Sequence, residues 1–145
     1  MGNCSTLRGQ MSRIRLPAKL ENLHSVMEFV SNFAKDQGFP QKRIREMEIA
    51  IEEAVVNVFK YAYPGQPGEV EVRCRMEDDS RLIIEIQDNG IPFDSTSLAD
   101  PKLNETVSDR KIGGLGVFFI KRMVDEVQYR RDCESNILTF IFNGN

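Results

Sequence analysis

Apolar residues recur every three or four positions in two long segments of the chain, and this spacing predicts two helices. The first runs from Leu20 to Gln37 and ends at Gly38. The second runs from about Pro40 to Tyr63. Its apolar stripe consists of Ile44, Met47, Ile51, Ala54, Val55, Val58 and Ala62. Because each stripe covers one side of its helix, both helices are predicted to pack on a common core.

Alternation of apolar and polar residues predicts five strands. They are Ser12–Leu16, Glu69–Met76, Arg81–Asp88, Val127–Arg131 and Ile137–Phe142. Short polar turns join the second strand to the third and the fourth to the fifth, which is typical of β-hairpins. One more helix is predicted over Val117–Asp125. This order favours an α+β fold, a two-layer α/β sandwich with helices on one face of a mixed, largely antiparallel sheet.

Composition indicates one globular domain. The chain has 145 residues, of which 41% are hydrophobic and 28% are charged, enough for a single core. We expect a flexible N-terminus over residues 1–11 and one domain over residues 12–145. The net charge of −3 argues against a direct nucleic-acid partner. No apolar run is long enough to span a bilayer, so we expect no membrane partner.

The cysteines favour a reducing compartment. Cys4, Cys74 and Cys133 show neither a C-x-x-C spacing nor a zinc pattern. An odd number of cysteines without a framework is typical of reduced thiols. The N-terminus also lacks the apolar core of a signal peptide. We therefore expect a cytoplasmic protein.

Two polar residues interrupt the second helix on the side opposite its apolar stripe. Glu53 and Asn57 are four residues apart and therefore share one face. Ile49, Ala50 and Val56 border that face, and a helix that is apolar on nearly all sides is normally covered on nearly all sides. The pattern favours polar groups in the wall of a cavity, although an exposed Glu and a chance Asn would give the same residues.

A further polar position ends the third predicted strand. Asp88 falls on the same face as Leu82, Ile84 and Ile86, and a carboxylate on the core side of a strand is costly unless a partner satisfies it. The run Asp88–Gly90 then leaves the strand abruptly. By itself this run is equally typical of an Asx turn.

A long connection and a glycine cluster follow. Residues 94–112 are polar and have no clear period, as is typical of lids and binding loops. Gly114-x-Gly116 opens the predicted third helix. This cluster is compatible with simple helix packing, and it is neither a P-loop nor a dinucleotide fingerprint.

In order and spacing, these features resemble the GHKL ATP-binding family, which includes gyrase and the histidine kinases. Its Glu-x-x-x-Asn, Asp-x-Gly and Gly-x-Gly motifs correspond to Glu53–Asn57, Asp88–Gly90 and Gly114–Gly116. The branch that the chain resembles most is that of the bacterial anti-sigma-factor serine kinases. The segments that carry this resemblance are Asn57–Tyr63, Asp88–Asp94, Gly113–Lys121 and Met123–Val127.

Two positions depart from the wider family. Pro92 replaces the second glycine of a fuller Asp-x-Gly-x-Gly, as it does in the small-kinase branch. Tyr61 stands where related proteins often carry His, which leaves the local phosphate or lid contact undefined.

The resemblance implies a set of adenine-binding residues. Asp88 would accept a hydrogen bond from the exocyclic amine of adenine. Gly90 would let the backbone approach the base closely. Thr139 stands at the family's usual position for a hydroxyl near adenine, although an ordinary strand Thr would look the same. Asp94 closes the same motif and is expected among the nucleotide-binding residues.

The resemblance also implies a phosphate end. Asn57 would be the ligand of Mg²⁺. Gly114, Leu115 and Gly116, at a helix N-terminus, would offer backbone N–H groups to phosphate oxygens. Lys60 could reach the phosphates or the lid, or be an ordinary surface lysine.

The function that the resemblance implies is a protein serine/threonine kinase that uses ATP and Mg²⁺, with Glu53 as the general base. Such kinases phosphorylate a serine on a small anti-anti-sigma (STAS-type) protein and sequester a sigma factor, usually as homodimers. One alternative is a nucleotide-gated regulatory module of the same fold that does not transfer phosphoryl groups. The other is an ATPase fragment of a larger machine, which the short lid disfavours.

Overall fold

A computed structural model describes residues 11–94 and 123–144 of the chain. Its elements are β1 (Met11–Pro17), α1 (Leu23–Asp36), α2 (Gln41–Tyr61), β2 (Glu69–Glu77), β3 (Arg81–Asp88), β4 (Glu126–Asp132) and β5 (Ser135–Asn143). A 3₁₀ turn at Leu20–Asn22 precedes α1. Each of the five strands and both long helices lies within a few residues of its predicted bounds. The predicted N-terminal segment, apart from Met11, and most of the predicted helix Val117–Asp125 lie outside the described residues.

The five strands form one sheet in the order β1-β2-β3-β5-β4. Each neighbouring pair in the sheet is antiparallel. Pro17 closes β1 at the sheet edge, where a residue without a backbone N–H is tolerated. The predicted two-layer α+β architecture is confirmed, and the sheet of the described residues is wholly antiparallel.

One face of the sheet and the two helices enclose the hydrophobic core. Inward residues of β2 and β3 pair in register, Val72 with Ile86 and Cys74 with Ile84. Phe140 of β5 is fully buried beside them. The apolar stripe predicted for α2 is confirmed, because each of its residues is buried. Within residues 11–94 and 123–144, no helix is both long and apolar enough to cross a membrane.

The opposite face of the sheet is rich in charged residues. Glu71 is buried there and accepts hydrogen bonds from Arg15 at 2.7 Å and from Arg73 at 2.8 Å. Burial by itself raises the pKa of Glu71, but these hydrogen bonds and the two guanidinium charges outweigh it and lower the pKa below its ordinary value. Glu71 is therefore a satisfied buried charge that ties β1 to β2.

Both cysteines of the described residues are free thiols. Cys74 lies in the core, where burial raises the pKa of its thiol to about 12. Such a thiol stays protonated and unreactive at neutral pH. Cys133 is exposed in the turn between β4 and β5. The predicted reduced thiols agree with this arrangement.

Candidate active site

Glu53 and Asn57 share one face of α2 and both are buried. Glu53 is 8% exposed and Asn57 is 2% exposed. Among the described residues, Glu53 Oε2 and Asn57 Nδ2 have no hydrogen-bond partner. A buried polar atom without a partner costs about 1–3 kcal/mol. Two such atoms on adjacent turns of one helix indicate a site that a ligand completes.

The surroundings of Glu53 make its carboxylate a better proton acceptor. Burial raises the pKa of Glu53 above its ordinary value, the charge of Lys60 opposes this rise, and the charge of Glu52 adds to it. Glu52 is exposed. Lys60 is exposed as well and lies near enough for its charge to act on Glu53. A buried carboxylate with a raised pKa suits a general base.

Asp88 ends β3 on the core face, directly opposite Asn136 of β5. Its side chain is buried, with 4% of the residue exposed. Asn136 Nδ2 and the backbone N–H of Gly90 both donate to Asp88 Oδ1, at 2.8 Å each. Burial raises the pKa of Asp88, while these hydrogen bonds and the charge of Arg131 favour its ionised form. Because both of these donors occupy Oδ1, Oδ2 is the acceptor left for a ligand.

A small hollow lies between α2 and the sheet next to Asp88. It is lined by Ala54, Val58, Ile86, Asp88, Phe93, Tyr129, Asn136 and Leu138. Ala54 and Val58 directly follow Glu53 and Asn57 along α2, so the acid–amide pair borders the same region of the helix. Apolar walls with one acidic group are the expected chemistry for a flat heterocyclic ring that carries an amine.

Asn136 is a site residue that the sequence analysis missed. It is 4% exposed, and its Nδ2 donates to Asp88 and, at 2.7 Å, to the carbonyl of Ile91. Its Oδ1 accepts hydrogen bonds from the backbone N–H of Phe93 at 3.1 Å and from the hydroxyl of Tyr129 at 2.6 Å. One buried amide therefore holds the acid, the following loop and β4 together.

The signal that identifies Asn136 is the same one that identified Asp88. Asn136 continues the two-residue alternation of Leu138 and Phe140, so it falls on the core face of β5. The predicted strand began at Ile137, and that boundary assigned Asn136 to the preceding turn. Because β5 begins at residue 135, the side chain belongs to the sheet.

The segment that follows β3 is held against the end of α2. The hydroxyl of Tyr63 accepts the N–H of Asn89 at 2.8 Å, and the carbonyl of Ala62 accepts the N–H of Ile91 at 2.9 Å. A Cβ atom at Gly90 would lie 2.0 Å from the carbonyl oxygen of Ala62. The absence of a side chain at Gly90 therefore serves this contact with the end of α2, and the close approach of its backbone to the base stays a prediction.

The prediction for Thr139 is wrong. Thr139 pairs with Glu85 in the middle of β5, one residue out of step with Leu138 and Phe140, which lie in the core. Its side chain therefore lies on the charged face of the sheet, away from Asp88. The segment Ile137–Phe142 is apolar on both faces, so its alternation did not show which side Thr139 takes.

The remaining predicted site residues are only partly described. Asp94 is half-buried and interacts with another residue of the chain. Gly114, Leu115 and Gly116 lie outside the described residues, so their role at the phosphates stays a prediction.

Asn57 is the described side chain that fits a magnesium ion. Within residues 11–94 and 123–144, no three His, Cys, Asp or Glu side chains form a metal cluster. Mg²⁺ at nucleotide sites is bound by one or two protein oxygens together with phosphates and water, so it needs no such cluster. The amide of Asn57 carries an unpaired atom, and rotation of the amide exchanges its nitrogen and oxygen positions. An oxygen at this position could ligate the ion.

Sequence comparisons identify the family of this chain and several of its relatives. Residues 16–142 match the family model of the histidine kinase-like ATPase domain. The serine-protein kinase RsbW of Bacillus cereus (strain G9842) is 31% identical over 135 residues, which cover 90% of this chain and 84% of the relative. The serine-protein kinase RsbW of Listeria innocua serovar 6a is 32% identical over 136 residues, which cover 90% and 86% of the two chains.

Two solved structures share the fold. The RsbU and RsbW domains of a Mycobacterium tuberculosis protein align with a TM-score of 0.64 at 16% identity, over 92% of this chain and 32% of that one. The histidine kinase domain of a blue-light activated histidine kinase from Erythrobacter litoralis gives 0.55 at 15% identity, over 84% and 61%. From the family match and the relatives' identity, the chain belongs to the histidine kinase-like ATPase family and, within it, to the branch of serine-protein kinases represented by RsbW.

Proposed function

We propose that the protein is an anti-sigma-factor kinase that transfers the γ-phosphoryl group of Mg-ATP to a serine of a small STAS-type protein. The observation that carries this proposal is the buried pair Glu53 and Asn57, whose unpaired atoms lie on α2 next to residues that line the hollow at Asp88. Buried polar atoms in a purely structural helix are normally paired. A triphosphate with its metal ion and an incoming hydroxyl would supply the partners that both residues need.

Asp88 recognises adenine in this proposal. Its Oδ2 accepts a hydrogen bond from the exocyclic amine, and Ile86 and Leu138 contact the ring from the apolar wall. Guanine and hypoxanthine carry an oxygen in place of that amine, and two acceptors that face each other repel. An ionised Asp88 therefore selects adenine over both.

Glu53 and Asn57 act at the phosphate end. Asn57 would hold Mg²⁺ through its amide oxygen, and the bound ion would neutralise charge on the phosphates. Glu53 accepts the proton of the attacking serine hydroxyl. A bond forms between the serine oxygen and the γ-phosphorus, the bond from that phosphorus to the β–γ bridging oxygen breaks, and ADP leaves. Lys60 and the backbone N–H groups of residues 114–116 are proposed to contact the phosphates.

The proposed partners follow from the relatives and from the sequence resemblance. The relatives from Bacillus cereus and Listeria innocua are serine-protein kinases that this chain matches along 90% of its length. We extend to this protein a partner switch, in which it sequesters a sigma factor until the unphosphorylated antagonist competes for it. A homodimer in the cytoplasm completes the proposal.

The test is transfer of label from γ-labelled ATP, in the presence of Mg²⁺, to candidate STAS-type proteins encoded near the gene. Label on serine is expected. Glu53→Ala should abolish transfer and keep ATP affinity within several-fold, because a base acts in the transition state. Glu52→Ala changes the exposed neighbour, is the matched control, and should retain transfer. Transfer by Glu53→Ala at nearly the parent rate would show that the base is another residue.

A second outcome would favour the regulatory module. If ATP binds but no acceptor is labelled, nucleotide-gated binding is the better function. The hydrogen-bonded arrangement around Asp88 supports that alternative equally, because recognition of adenine by Asp88 needs no catalytic general base.

A further inference from the structure

We propose that Asn136 is a positioning residue that sets the purine selectivity of the site, because it holds Asp88 so that one carboxylate oxygen faces the base. This inference rests on the proposed nucleotide site. Asn136 and Asp88 are directly paired across β3 and β5, both are buried, and their side chains are joined by a 2.8 Å hydrogen bond. The carboxylate orientation is thus fixed from the neighbouring strand.

The two donors to Asp88 differ in the part of the protein to which they hold its carboxylate. The N–H of Gly90 belongs to the same turn as Asp88 and follows any movement of that turn. The amide of Asn136 comes from a separate strand of the sheet and cannot follow it. The rotation of a carboxylate about its terminal bond is otherwise soft. Asn136 is therefore the donor that holds Oδ1 against the sheet and leaves Oδ2 toward the hollow.

Asn136 also connects this acid to the wall that faces the base. Its remaining donor and one of its acceptor contacts go to the carbonyl of Ile91 and to the N–H of Phe93. Phe93 lines the hollow, and its ring lies 5.1 Å from that of Tyr61. A single side chain therefore sets both the hydrogen-bonding edge of the pocket and one of its aromatic walls.

Replacement of Asn136 by aspartate isolates the donor function. Asn136→Asp has nearly the same shape and keeps an oxygen for Phe93 and Tyr129, but it loses both Nδ2 donations. It also places a second carboxyl group against Asp88, and such a pair retains a proton. Arg131 of β4 is a charged group that acts on Asp88 from another element, and its guanidinium also donates to Asn136 Oδ1 at 3.2 Å. A protonated acid at this edge can donate to the 6-oxygen of hypoxanthine, which the ionised acid rejects.

The experiment compares the dissociation constants of ATP and inosine triphosphate, which differ in the group at position 6 of the purine. The parent protein should bind ATP at least about 100-fold more tightly, since a site built around an amine rejects its oxo analogue. Asn136→Asp and Asn136→Leu should each narrow this ratio by at least about tenfold. Equal ratios in the parent and in both variants would overturn the proposal.

Tyr63→Phe is the matched control. It removes a hydrogen bond to Asn89 in the same loop but leaves the contact between Asn136 and Asp88 in place. If Asn136 acted in folding alone, its variants would lose thermal stability, but the ratio of the dissociation constants of ATP and inosine triphosphate would not change. The control should therefore keep the parent ratio within about twofold, because it leaves the hydrogen bond from Asn136 to Asp88 intact. A control that narrows it as much as Asn136→Asp would count against a specific role for Asn136.

A measurement on the parent protein covers variants that fail to fold. The side-chain amide resonances of Asn136 should shift more on addition of ATP than of inosine triphosphate, and equal shifts would overturn the proposal. Failure of the nucleotide site itself is distinguishable, because the parent would then bind neither nucleotide. If the parent selects ATP and the variants keep the same ratio, the role of Asn136 is refuted, whereas the nucleotide site is not.

Discussion

The two ends of the proposed nucleotide site are built in opposite ways. Around Asp88 the protein supplies the partners itself, through Asn136, the N–H of Gly90 and the end of α2. Around Glu53 and Asn57 two buried atoms are left without partners among the described residues. The end assigned to adenine is therefore formed before a ligand binds, whereas the end assigned to the phosphates is completed by the ligand.

This difference indicates which end of the site destabilises the protein when no nucleotide is bound. Satisfied polar groups cost little, so the recognition end can be rigid and stable. Unpaired buried groups at the reactive end destabilise the free protein, and bound nucleotide relieves that cost. The following predictions test the contrast between the two ends, in order of expected size.

The largest effect is expected from Asp88→Asn. The variant replaces an acceptor by an amide that can also donate, so the adenine amine loses its partner and the 6-oxygen of guanine gains one. Selectivity for ATP over GTP should fall by about 100-fold. Competition between the two nucleotides in a binding assay measures this. Unchanged selectivity would show that Asp88 does not contact the base.

A smaller effect is expected from Asn57→Ala at the reactive end. Removal of the amide oxygen should abolish the Mg²⁺ dependence of tight ATP binding and lower affinity by about tenfold at saturating Mg²⁺. Titration of Mg²⁺ at fixed ATP is the measurement, and Glu52→Ala is the control on the same helix. A parent-like Mg²⁺ titration in the variant would remove Asn57 from the metal site.

The pH dependence of phosphoryl transfer should follow Glu53. Burial raises the pKa of Glu53, so protonation disables the base at a pH above the ordinary glutamate value of about 4.3. The transfer rate should therefore fall as the pH decreases through that raised pKa. Rates measured with saturating ATP test this. A transfer rate whose apparent pKa is not above the ordinary glutamate value would contradict a base of this kind.

The smallest effect is on stability, and it has opposite signs at the two ends. Glu53→Gln removes a buried unpaired charge and should stabilise the free protein at pH 7 by about 1 kcal/mol, or about 2–4 °C in Tm. Asp88→Asn loses the satisfied arrangement with Asn136 and should destabilise the protein by about 1 kcal/mol.

The stability gain from Glu53→Gln should depend on pH in a defined direction. The folded-state pKa of Glu53 is raised, so the folded protein binds the proton more tightly than the unfolded chain does. The parent therefore loses stability as the pH rises from the unfolded value of about 4.3 through the raised folded value. The advantage of the variant should be present at pH 7 and should disappear below about pH 4. Thermal unfolding of both proteins at the two pH values measures it.

The sequence predicted the shared face of Glu53 and Asn57 better than it predicted the contacts of Asp88, and the reason is physical. Glu53 and Asn57 lie on one helix, where the helical period fixes their relation to each other and to the apolar stripe. The contacts of Asp88 come from β5 and from the end of α2, which are far apart in the sequence. Such contacts depend on strand register, which a local pattern sets only where one face is clearly apolar.

Thr139 and Asn136 show this limit directly. The segment after Asn136 is apolar on both faces, so the sequence did not fix which side Thr139 occupies, and the hydroxyl was assigned to the wrong face. Placement of the strand start two residues too late also removed Asn136 from the sheet. The pairing of Asp88 with Asn136 resolves both errors, because residues in direct register share a face.

A crystal structure of the protein with Mg²⁺ and a non-hydrolysable ATP analogue would test the proposed site most directly. We expect the exocyclic amine of adenine at about 2.9 Å from Asp88 Oδ2. We also expect the amide oxygen of Asn57 at about 2.1 Å from the ion, and the γ-phosphate on the side of Glu53. An analogue bound outside this hollow, or in it with the triphosphate beside Asp88, would contradict the account.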